Sequence, residues 1–202
     1  QADPLSRSGA GITYVVFGNY LQASSGSIEL RDFTSGPTSG FKVFGAVTND
    51  NSGVSVSSAG DINGDGFGDI IIGASAADPN DFSGAGIAYI IFGSTDAVDI
   101  DLSSFTSGIS GFKAFGMLPG DLCGFSVSGA GDVNSDGFDD VIIGCYGGDP
   151  PDIHPSGADQ ISRANVGISY VIFGKSTLYS DVELNFYSTS DDIGLKILGT
   201  DK

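Results

Sequence analysis

The chain has 202 residues, which is enough for one or two ordinary domains with a sizeable buried core. Acidic residues outnumber basic ones 25 to 8, and a formal net charge of −17 argues against nucleic acid or an anionic membrane surface as a partner. A composition with 32 glycines, many hydroxyl side chains and a single methionine argues against helices and for short strands joined by tight turns. No apolar segment approaches the length of a membrane span, so we expect no membrane insertion.

Two similar acidic segments dominate the sequence, one beginning at Asp61 and the other at Asp132. Residues with side-chain oxygens occupy positions one, three, five and nine of each segment. Position six is Gly66 in the first segment and Gly137 in the second, and glycine allows the backbone to turn sharply there. Alternate side chains of such a loop point inward and one carbonyl is exposed, which is how a short loop surrounds a hard cation.

We therefore predict two metal sites, each made of four side chains and one backbone carbonyl. The predicted ligands of the first site are Asp61, Asn63, Asp65, Asp69 and the carbonyl of Phe67. The predicted ligands of the second site are Asp132, Asn134, Asp136, Asp140 and the carbonyl of Phe138. All-oxygen loops of this kind suit Ca²⁺ best. The alternative is an ordinary turn rich in Asp, Asn and Gly, and it is weakened because the segment occurs twice in the same context.

An EF-hand begins in the same way, but its other requirements are not met. An EF-hand needs a glutamate at position twelve and a helix on either side, whereas position twelve is Ile72 in one copy and Ile143 in the other. A β-branched segment follows each loop, and alternating apolar and hydroxyl residues precede it. We expect each loop to join two strands of a hairpin.

Further repeats extend this pattern over the whole chain. Gly-Phe-Lys-x-Phe-Gly occurs at 40–45 and 111–116, the same distance apart as the two acidic segments, with a weaker copy at 194–199. A segment of β-branched and aromatic residues bracketed by glycine occurs at 11–18, 86–93 and 167–174. The predicted strands are 12–17 and 41–44 in the first unit, 54–58, 70–73, 87–92 and 112–115 in the second, and 125–129, 141–144, 168–173 and 195–198 in the third. A fixed period of this length indicates a repeat architecture.

Four antiparallel strands per repeat indicate the blades of a β-propeller, so we predict an all-β fold with about two and a half blades. The predicted units are a partial blade at 1–50, which holds only the last two strands, a blade at 51–120 with loop 61–69, and a blade at 121–202 with loop 132–140. So few blades leave strand edges and apolar faces uncovered. We therefore expect either a fragment of a longer propeller or a homo-oligomer that completes the ring.

At this point the sequence resembles a known family. A strand, the loop D-x-N-x-D-G-x-x-D, an Ile/Val-rich strand ending in Gly73-Ala74, and then Gly-x-x-Tyr-Ile-Ile-Phe-Gly at 86–93 are similar to the FG-GAP repeat. That repeat builds the propeller of integrin α subunits and of their prokaryotic relatives, and the resemblance covers nearly the whole chain. It implies that the loop joins the two inner strands of a blade and binds calcium there. The implied ligands are those given above.

Four other features of the sequence bear on its function. Cys123 and Cys145 lie on opposite arms of the second hairpin, and they either form a disulfide or remain two small buried residues. The long segment 147–165 is either a site of binding specificity or an ordinary surface insertion. His154, the single histidine, lies in that segment among prolines, where a solvated side chain is the simpler interpretation. Asp139 lies beside Asp140 but has no partner acid with which to perform acid–base chemistry.

The sequence contains no Ser/His/Asp set and no phosphate-binding glycine loop, so we predict no catalytic residues and no enzyme activity. The leading hypothesis is an extracellular or cell-surface calcium-binding scaffold for adhesion, with a protein or glycan ligand at its surface. One alternative is a non-catalytic propeller segment of a larger secreted hydrolase, such as a phospholipase. Another is a calcium-dependent carbohydrate-binding module.

Overall fold

The computed structural model describes residues 4–18, 20, 27–149, 166–177, 180–184 and 193–199. Within these ranges the fold is all-β, with twelve strands. The first six strands are β1 (Ile12–Val16), β2 (Gly40–Phe44), β3 (Ser55–Gly60), β4 (Asp69–Ala74), β5 (Ile87–Ile91) and β6 (Ile100–Asp101). The others are β7 (Gly111–Phe115), β8 (Cys123–Gly131), β9 (Asp140–Cys145), β10 (Ile168–Ile172), β11 (Val182–Glu183) and β12 (Gly194–Leu198). Short 3₁₀ turns lie at Pro4–Ser6, Leu30–Asp32, Pro79–Asp81 and Leu102–Ser104.

The strands form three mostly antiparallel sheets, none closed into a barrel. Their orders are β1-β2-β6, β11-β7-β5-β4-β3 and β12-β10-β9-β8. The second and third sheets each contain the predicted four-stranded antiparallel blade, and the first contains the predicted last two strands of a blade. The predicted all-β, propeller-like fold is therefore confirmed. The division of the chain at residues 50 and 120 stays a prediction.

Two short strands were not predicted from the sequence. β6 and β11 come from the connection before the fourth strand of their own blade, yet each pairs in parallel with the edge of the preceding sheet. The Asp before each strand secures this pairing: Asp99 Oδ1 accepts a hydrogen bond from the backbone N–H of Lys42, and Asp181 Oδ1 accepts one from Lys113, both at 2.8 Å. The outer edges of the first two sheets are thus covered by the next unit.

The sheets stack face to face, and successive side chains along a strand of the second sheet point to its opposite faces. One face packs Ile72 and Tyr89 against Val43 of the first sheet. The opposite face packs Ile71 and Phe112 into a core that the third sheet shares. The middle of the second sheet is buried on both sides, which explains why its central strands β4 and β5 are apolar at nearly every position.

The second and third sheets approach closely because glycine lines their contact. A Cβ placed on Gly73 would fall on the carbonyl oxygen of Gly124, so only glycine fits at this position. Gly124 itself has a φ of +81°, which favours glycine. Its carbonyl accepts a hydrogen bond of 2.7 Å from Ser55 Oγ, which joins the two sheets at this point.

Cys123 and Cys145 form a disulfide, which resolves the alternatives left open by the sequence. The two residues lie opposite each other on β8 and β9, and both are buried. When the two acidic segments are aligned, the matching positions in the second sheet are Ser52 and Ala74. The disulfide therefore cross-links one hairpin of the pair and not the other.

We expect the double variant C123S/C145A, which copies the residues of the second sheet's hairpin, to lose about 3 kcal/mol of unfolding free energy. The loss arises because the bond closes a loop with a sequence separation of 22 residues. Urea unfolding followed by circular dichroism measures this difference. Reduction of the wild-type protein is the control, since it removes the bond without changing a residue. An unfolding midpoint that is unchanged by reduction would contradict the prediction.

Candidate metal loops

Each acidic loop joins the first two strands of its sheet, as predicted. Loop 61–69 connects β3 to β4, and loop 132–140 connects β8 to β9. In both hairpins a register shift lies just before the loop, between Ser58 and Gly60 in the first and between Gly129 and Gly131 in the second. The strand on either side of each loop rules out an EF-hand.

Backbone N–H groups draw the first three predicted ligands of loop 61–69 inward. The N–H of Asp65 is shared by Asp61 Oδ1 at 3.0 Å and Asn63 Oδ1 at 2.9 Å. The N–H of Gly66 donates to the other oxygen of Asp61 at 2.9 Å. Asp65 in turn accepts from the N–H of Phe67 at 2.8 Å. The side-chain oxygens at positions one and three therefore converge on one backbone atom.

Loop 132–140 repeats this arrangement. The N–H of Asp136 is shared by Asp132 Oδ1 at 3.0 Å and Asn134 Oδ1 at 3.1 Å. The N–H of Gly137 donates to Asp132 Oδ2 at 3.0 Å. Asp136 accepts from the N–H of Phe138 at 3.0 Å. Two loops that differ at positions two, four and eight thus adopt the same hydrogen-bonded conformation.

The Asp at position nine is buried and joins each loop to the rest of its sheet. Asp69 is 1% exposed, and its two oxygens accept from the N–H groups of Ile62 at 2.9 Å and Gly93 at 2.7 Å. Asp140 is 0% exposed, and it accepts from Val133 at 2.7 Å and Gly174 at 2.9 Å. Each carboxylate therefore holds the start of its loop and the residue two positions after the third strand.

Burial raises the pKa of Asp69 to about 6, and the backbone N–H groups of Gly93 and Ile62 oppose that rise. The carboxylates of Asp65 and Asp61 add a further, smaller upward shift through charge repulsion. The two neighbouring carboxylates thus disfavour the ionised form of Asp69. A divalent cation held among them would offset this repulsion.

The donor set of each loop fits a hard cation: three carboxylates, one amide oxygen and one candidate backbone carbonyl. Asn63 also donates to Asp65 Oδ2 at 2.8 Å, and Asn134 donates to Asp136 Oδ2 at the same distance. Within the described ranges, no three His, Cys, Asp or Glu side chains lie in an arrangement that could by itself hold a metal ion. Metal binding at these ten residues therefore stays a prediction.

The two loops contact each other directly, which the sequence reasoning missed. Asp139 Oδ2 accepts a hydrogen bond of 2.8 Å from the N–H of Asp61, so position eight of the second loop holds position one of the first. The N–H of Lys175 donates to the carbonyl of Ile62 at 2.9 Å. The ring of Phe138 lies so close to Gly64 that a Cβ there would be 2.5 Å from the ring. Asp139 is thus an inter-blade contact, and the first loop has glycine at the matching position.

The family model of the FG-GAP repeat matches residues 52–91. This chain carries an FG-GAP repeat. The match spans β3, loop 61–69, β4 and β5, and over these residues it confirms the resemblance predicted from the sequence. FG-GAP repeats are generally non-catalytic scaffolds and typically occur in extracellular domains. No curated protein matches the chain significantly.

Some predicted features lie outside the described residues. These include His154 and most of segment 147–165, of which the structure describes only 147–149. In the described part of the chain, no helix is both long and apolar enough to cross a membrane.

Outside the loops, a second buried carboxylate recurs at matching positions of the two repeats. Asp50 accepts from the N–H of Val47 at 3.1 Å, and Asp121 accepts from Leu118 at 3.0 Å. Burial raises the pKa of Asp50 to about 6, and it also raises the pKa of Asp121. These residues close the turn that leads into each blade, and they lie apart from the acidic loops.

We expect Asp139→Ala to lower the unfolding free energy by about 1–3 kcal/mol, because the N–H of Asp61 loses its acceptor. Asp139→Asn is the matched control, since its amide oxygen can still accept that hydrogen bond. Urea unfolding in EGTA separates this effect from metal binding. Equal stability of Asp139→Ala and Asp139→Asn would contradict the inter-loop role.

Proposed function

We propose that this chain is a calcium-binding, integrin-α-like propeller module that acts as a structural scaffold for protein interaction or cell adhesion. The observation that supports it most is the identical hydrogen-bonded conformation of two loops, each carrying three carboxylates and an amide oxygen. The FG-GAP repeat at 52–91 supports the scaffold role. The proposed ligands of the two Ca²⁺ ions are the ten residues predicted from the sequence.

Calcium would stabilise the fold and would not take part in a reaction. Each loop concentrates three negative charges in a chain whose net charge is already −17, and a divalent ion in each loop would remove most of that local repulsion. Because Asp139 of the second loop binds the N–H of Asp61 in the first, ordering one loop would also order the junction between two sheets. We expect the metal to stiffen the whole loop-bearing end of the stack.

An extracellular or cell-surface location agrees with this role. The Cys123–Cys145 disulfide is of a kind that forms and persists in oxidising compartments. Millimolar calcium outside the cell suits loops that bind the ion weakly, as extracellular calcium modules do. Cell adhesion and the binding of a protein or glycan ligand are likewise part of the proposal.

We expect calcium to raise the unfolding free energy by about 2.7 kcal/mol per site at a concentration one hundred times the dissociation constant. Titration calorimetry should find two sites in the wild type, one in Asp65→Ala or Asp136→Ala, and none in the double variant. Asp32→Ala is the matched control, because Asp32 is an exposed carboxylate outside both loops. A melting temperature that does not differ between EGTA and calcium would overturn the proposal.

The outer face of the third sheet supports association with another blade. Leu195 and Ile197 of β12 are 51% and 52% exposed, whereas their counterparts Phe112 and Ala114 of β7 are fully buried by the third sheet. The fourth strand therefore has apolar side chains at these two positions both in β7, where the next sheet covers them, and in β12, where they are exposed. A further blade, from a second copy of the chain or from a longer chain, would cover this face.

We expect the 202-residue chain to self-associate through this face in a concentration-dependent way. Replacing both Leu195 and Ile197 by Lys should then shift the sedimenting mass to that of a monomer of 20.5 kDa. Val47→Lys is the control, because Val47 is exposed on a turn away from this face. A wild-type chain that is monomeric at every concentration would refute the homo-oligomer and leave the fragment of a longer propeller.

A further inference from the structure

The two acidic loops differ at position four, where Gly64 follows Asn63 in the first loop and Ser135 follows Asn134 in the second. Asn63–Gly64 is the only Asn-Gly step in the 202-residue sequence. The side-chain amide of an asparagine can be attacked by the backbone nitrogen of the next residue. Glycine hinders this attack least because it has no Cβ. Position four therefore decides how easily the asparagine before it reacts.

The junction between the second and third sheets explains why position four of the first loop is glycine. A Cβ on Gly64 would lie 2.5 Å from the ring of Phe138 in the adjacent loop, so a larger residue would displace that ring. Gly64 has a φ of +73°, but Ser135 adopts a similar φ of +62°, so the loop conformation alone does not exclude a side chain. Packing between the sheets thus imposes the Asn-Gly step on loop 61–69.

The attacking group would be the backbone nitrogen of Gly64, and its N–H has no hydrogen-bond partner among the described residues. The next three N–H groups, those of Asp65, Gly66 and Phe67, each donate to a carboxylate or amide oxygen of the same loop. Gly64 is also exposed to solvent. The nitrogen beside the Asn63 side chain is therefore the one that no hydrogen bond of the loop restrains.

The side-chain amide of Asn63 is oriented by Asp65 through two hydrogen bonds. Asn63 Oδ1 accepts from the N–H of Asp65 at 2.9 Å, at the atom where negative charge develops when a nucleophile adds to the amide. Asn63 Nδ2 donates to Asp65 Oδ2 at 2.8 Å, which fixes the plane of the amide. The folded loop therefore stabilises the charge that forms during the attack.

Glycine also follows the aspartate at position five of each loop, at Gly66 and Gly137. The N–H of Gly66 donates to Asp61 Oδ2 at 2.9 Å, and that of Gly137 donates to Asp132 Oδ2 at 3.0 Å. Both nitrogens are thus engaged, and an ionised carboxylate is a much poorer target for a nucleophile than an amide is. In these two fully described loops, Asn63–Gly64 is the step that combines an amide with an unrestrained glycine N–H.

We propose that Asn63 is a site of spontaneous deamidation, which converts position three of the first loop from an amide to a carboxylate. The nitrogen of Gly64 attacks Cγ of Asn63, its proton passes to Nδ2, and ammonia leaves from the resulting cyclic imide. Water then adds to one of the two imide carbonyls, the bond from that carbon to the Gly64 nitrogen breaks, and the nitrogen regains a proton. Opening at Cγ gives aspartate, and opening at the backbone carbonyl gives isoaspartate.

Deamidation would change how the loop responds to a cation, a consequence that rests on the proposed calcium sites. A carboxylate at position three cannot donate to Asp65 Oδ2 as the amide of Asn63 does, so the two groups repel each other. Four carboxylates make the metal-free loop less stable and increase its affinity for a divalent ion. Isoaspartate adds a methylene to the main chain and displaces the position-three oxygen, so we expect it to weaken the site.

A bound cation would also affect the reaction itself. Ring closure requires the amide of Asn63 and the nitrogen of Gly64 to move together, and a cation held by Asn63 Oδ1 would restrict that movement. We therefore expect the calcium-free loop to be the reactive state.

The test incubates the full chain at neutral pH in EGTA, in calcium, and unfolded in urea, and peptide mass spectrometry then quantifies aspartate and isoaspartate at each asparagine. We expect Asn63 to react severalfold faster than Asn134 in EGTA, although Asn134 has the same hydrogen bonds and is more exposed. The rate at Asn63 in EGTA should equal or exceed its rate in urea, because the folded loop orients the amide. Calcium should slow it severalfold.

Ser135→Gly is the matched variant, since the φ of +62° at this position already suits glycine. It should raise deamidation of Asn134 severalfold and leave that of Asn63 unchanged. Asn63→Asp copies one product in pure form. It should lower the melting temperature in EGTA and enlarge the increase that calcium produces.

Equal rates at Asn63 and Asn134 in EGTA would overturn the assignment, and so would a lower rate at Asn63 in the folded chain than in urea. A Ser135→Gly variant whose Asn134 reacts no faster would also contradict it. If Asn63 reacts faster than Asn134 but equally fast in EGTA and in calcium, the deamidation site stands and the calcium proposal fails.

Discussion

The structure depends on the buried carboxylate at the end of each acidic loop. Asp69 and Asp140 are shielded from solvent, and backbone N–H groups on two sides satisfy their oxygens. One partner is the second residue of the loop, and the other is a glycine beyond the third strand of the sheet. A single side chain therefore sets where the hairpin turns and where the neighbouring strand ends. Burial raises the pKa of Asp69, and repulsion by the neighbouring carboxylates raises it further. The hydrogen bonds that Asp69 accepts are therefore sensitive to the charge of its own loop.

The local elements could be predicted because their signals are short-range and repeated. β-branched segments such as Ile70 to Ile72 are buried on both faces of a sheet, so their composition identifies a strand without any knowledge of its neighbours. The acidic loops could be predicted for a related reason, since Gly66 and the alternating Asp and Asn residues determine the turn locally. The acidic loop and the Gly-Phe-Lys-x-Phe-Gly motif each recur at the same distance, which indicates that the same unit occurs twice. Fold class and candidate ligands both follow from such local information.

The contacts between units could not be predicted in this way. β6 and β11 contain only two residues each, and they form because the preceding sheet presents an open edge. Their one sequence signal is a repeated pattern, Asp-Ile-Asp-Leu at 99–102 and Asp-Val-Glu-Leu at 181–184, which becomes meaningful only once the partner strand is known. Asp139 gives no signal at all, because its partner is a backbone N–H in the adjacent loop. The disulfide remained one of two alternatives until the register placed Cys123 opposite Cys145.

The first and third sheets lie at the two ends of the described stack, and they expose different kinds of surface because they occupy opposite ends of it. In a linear array each unit buries the face of its neighbour, so the terminal units carry whatever a further neighbour would have covered. The third sheet ends in an apolar face, where Leu195 and Ile197 stand in place of the buried Phe112 and Ala114. The first sheet instead ends in a strand edge that has no partner among the described residues and lies beside an apolar cavity. A face can be covered by any matching apolar surface, whereas an edge needs a strand in a fixed register.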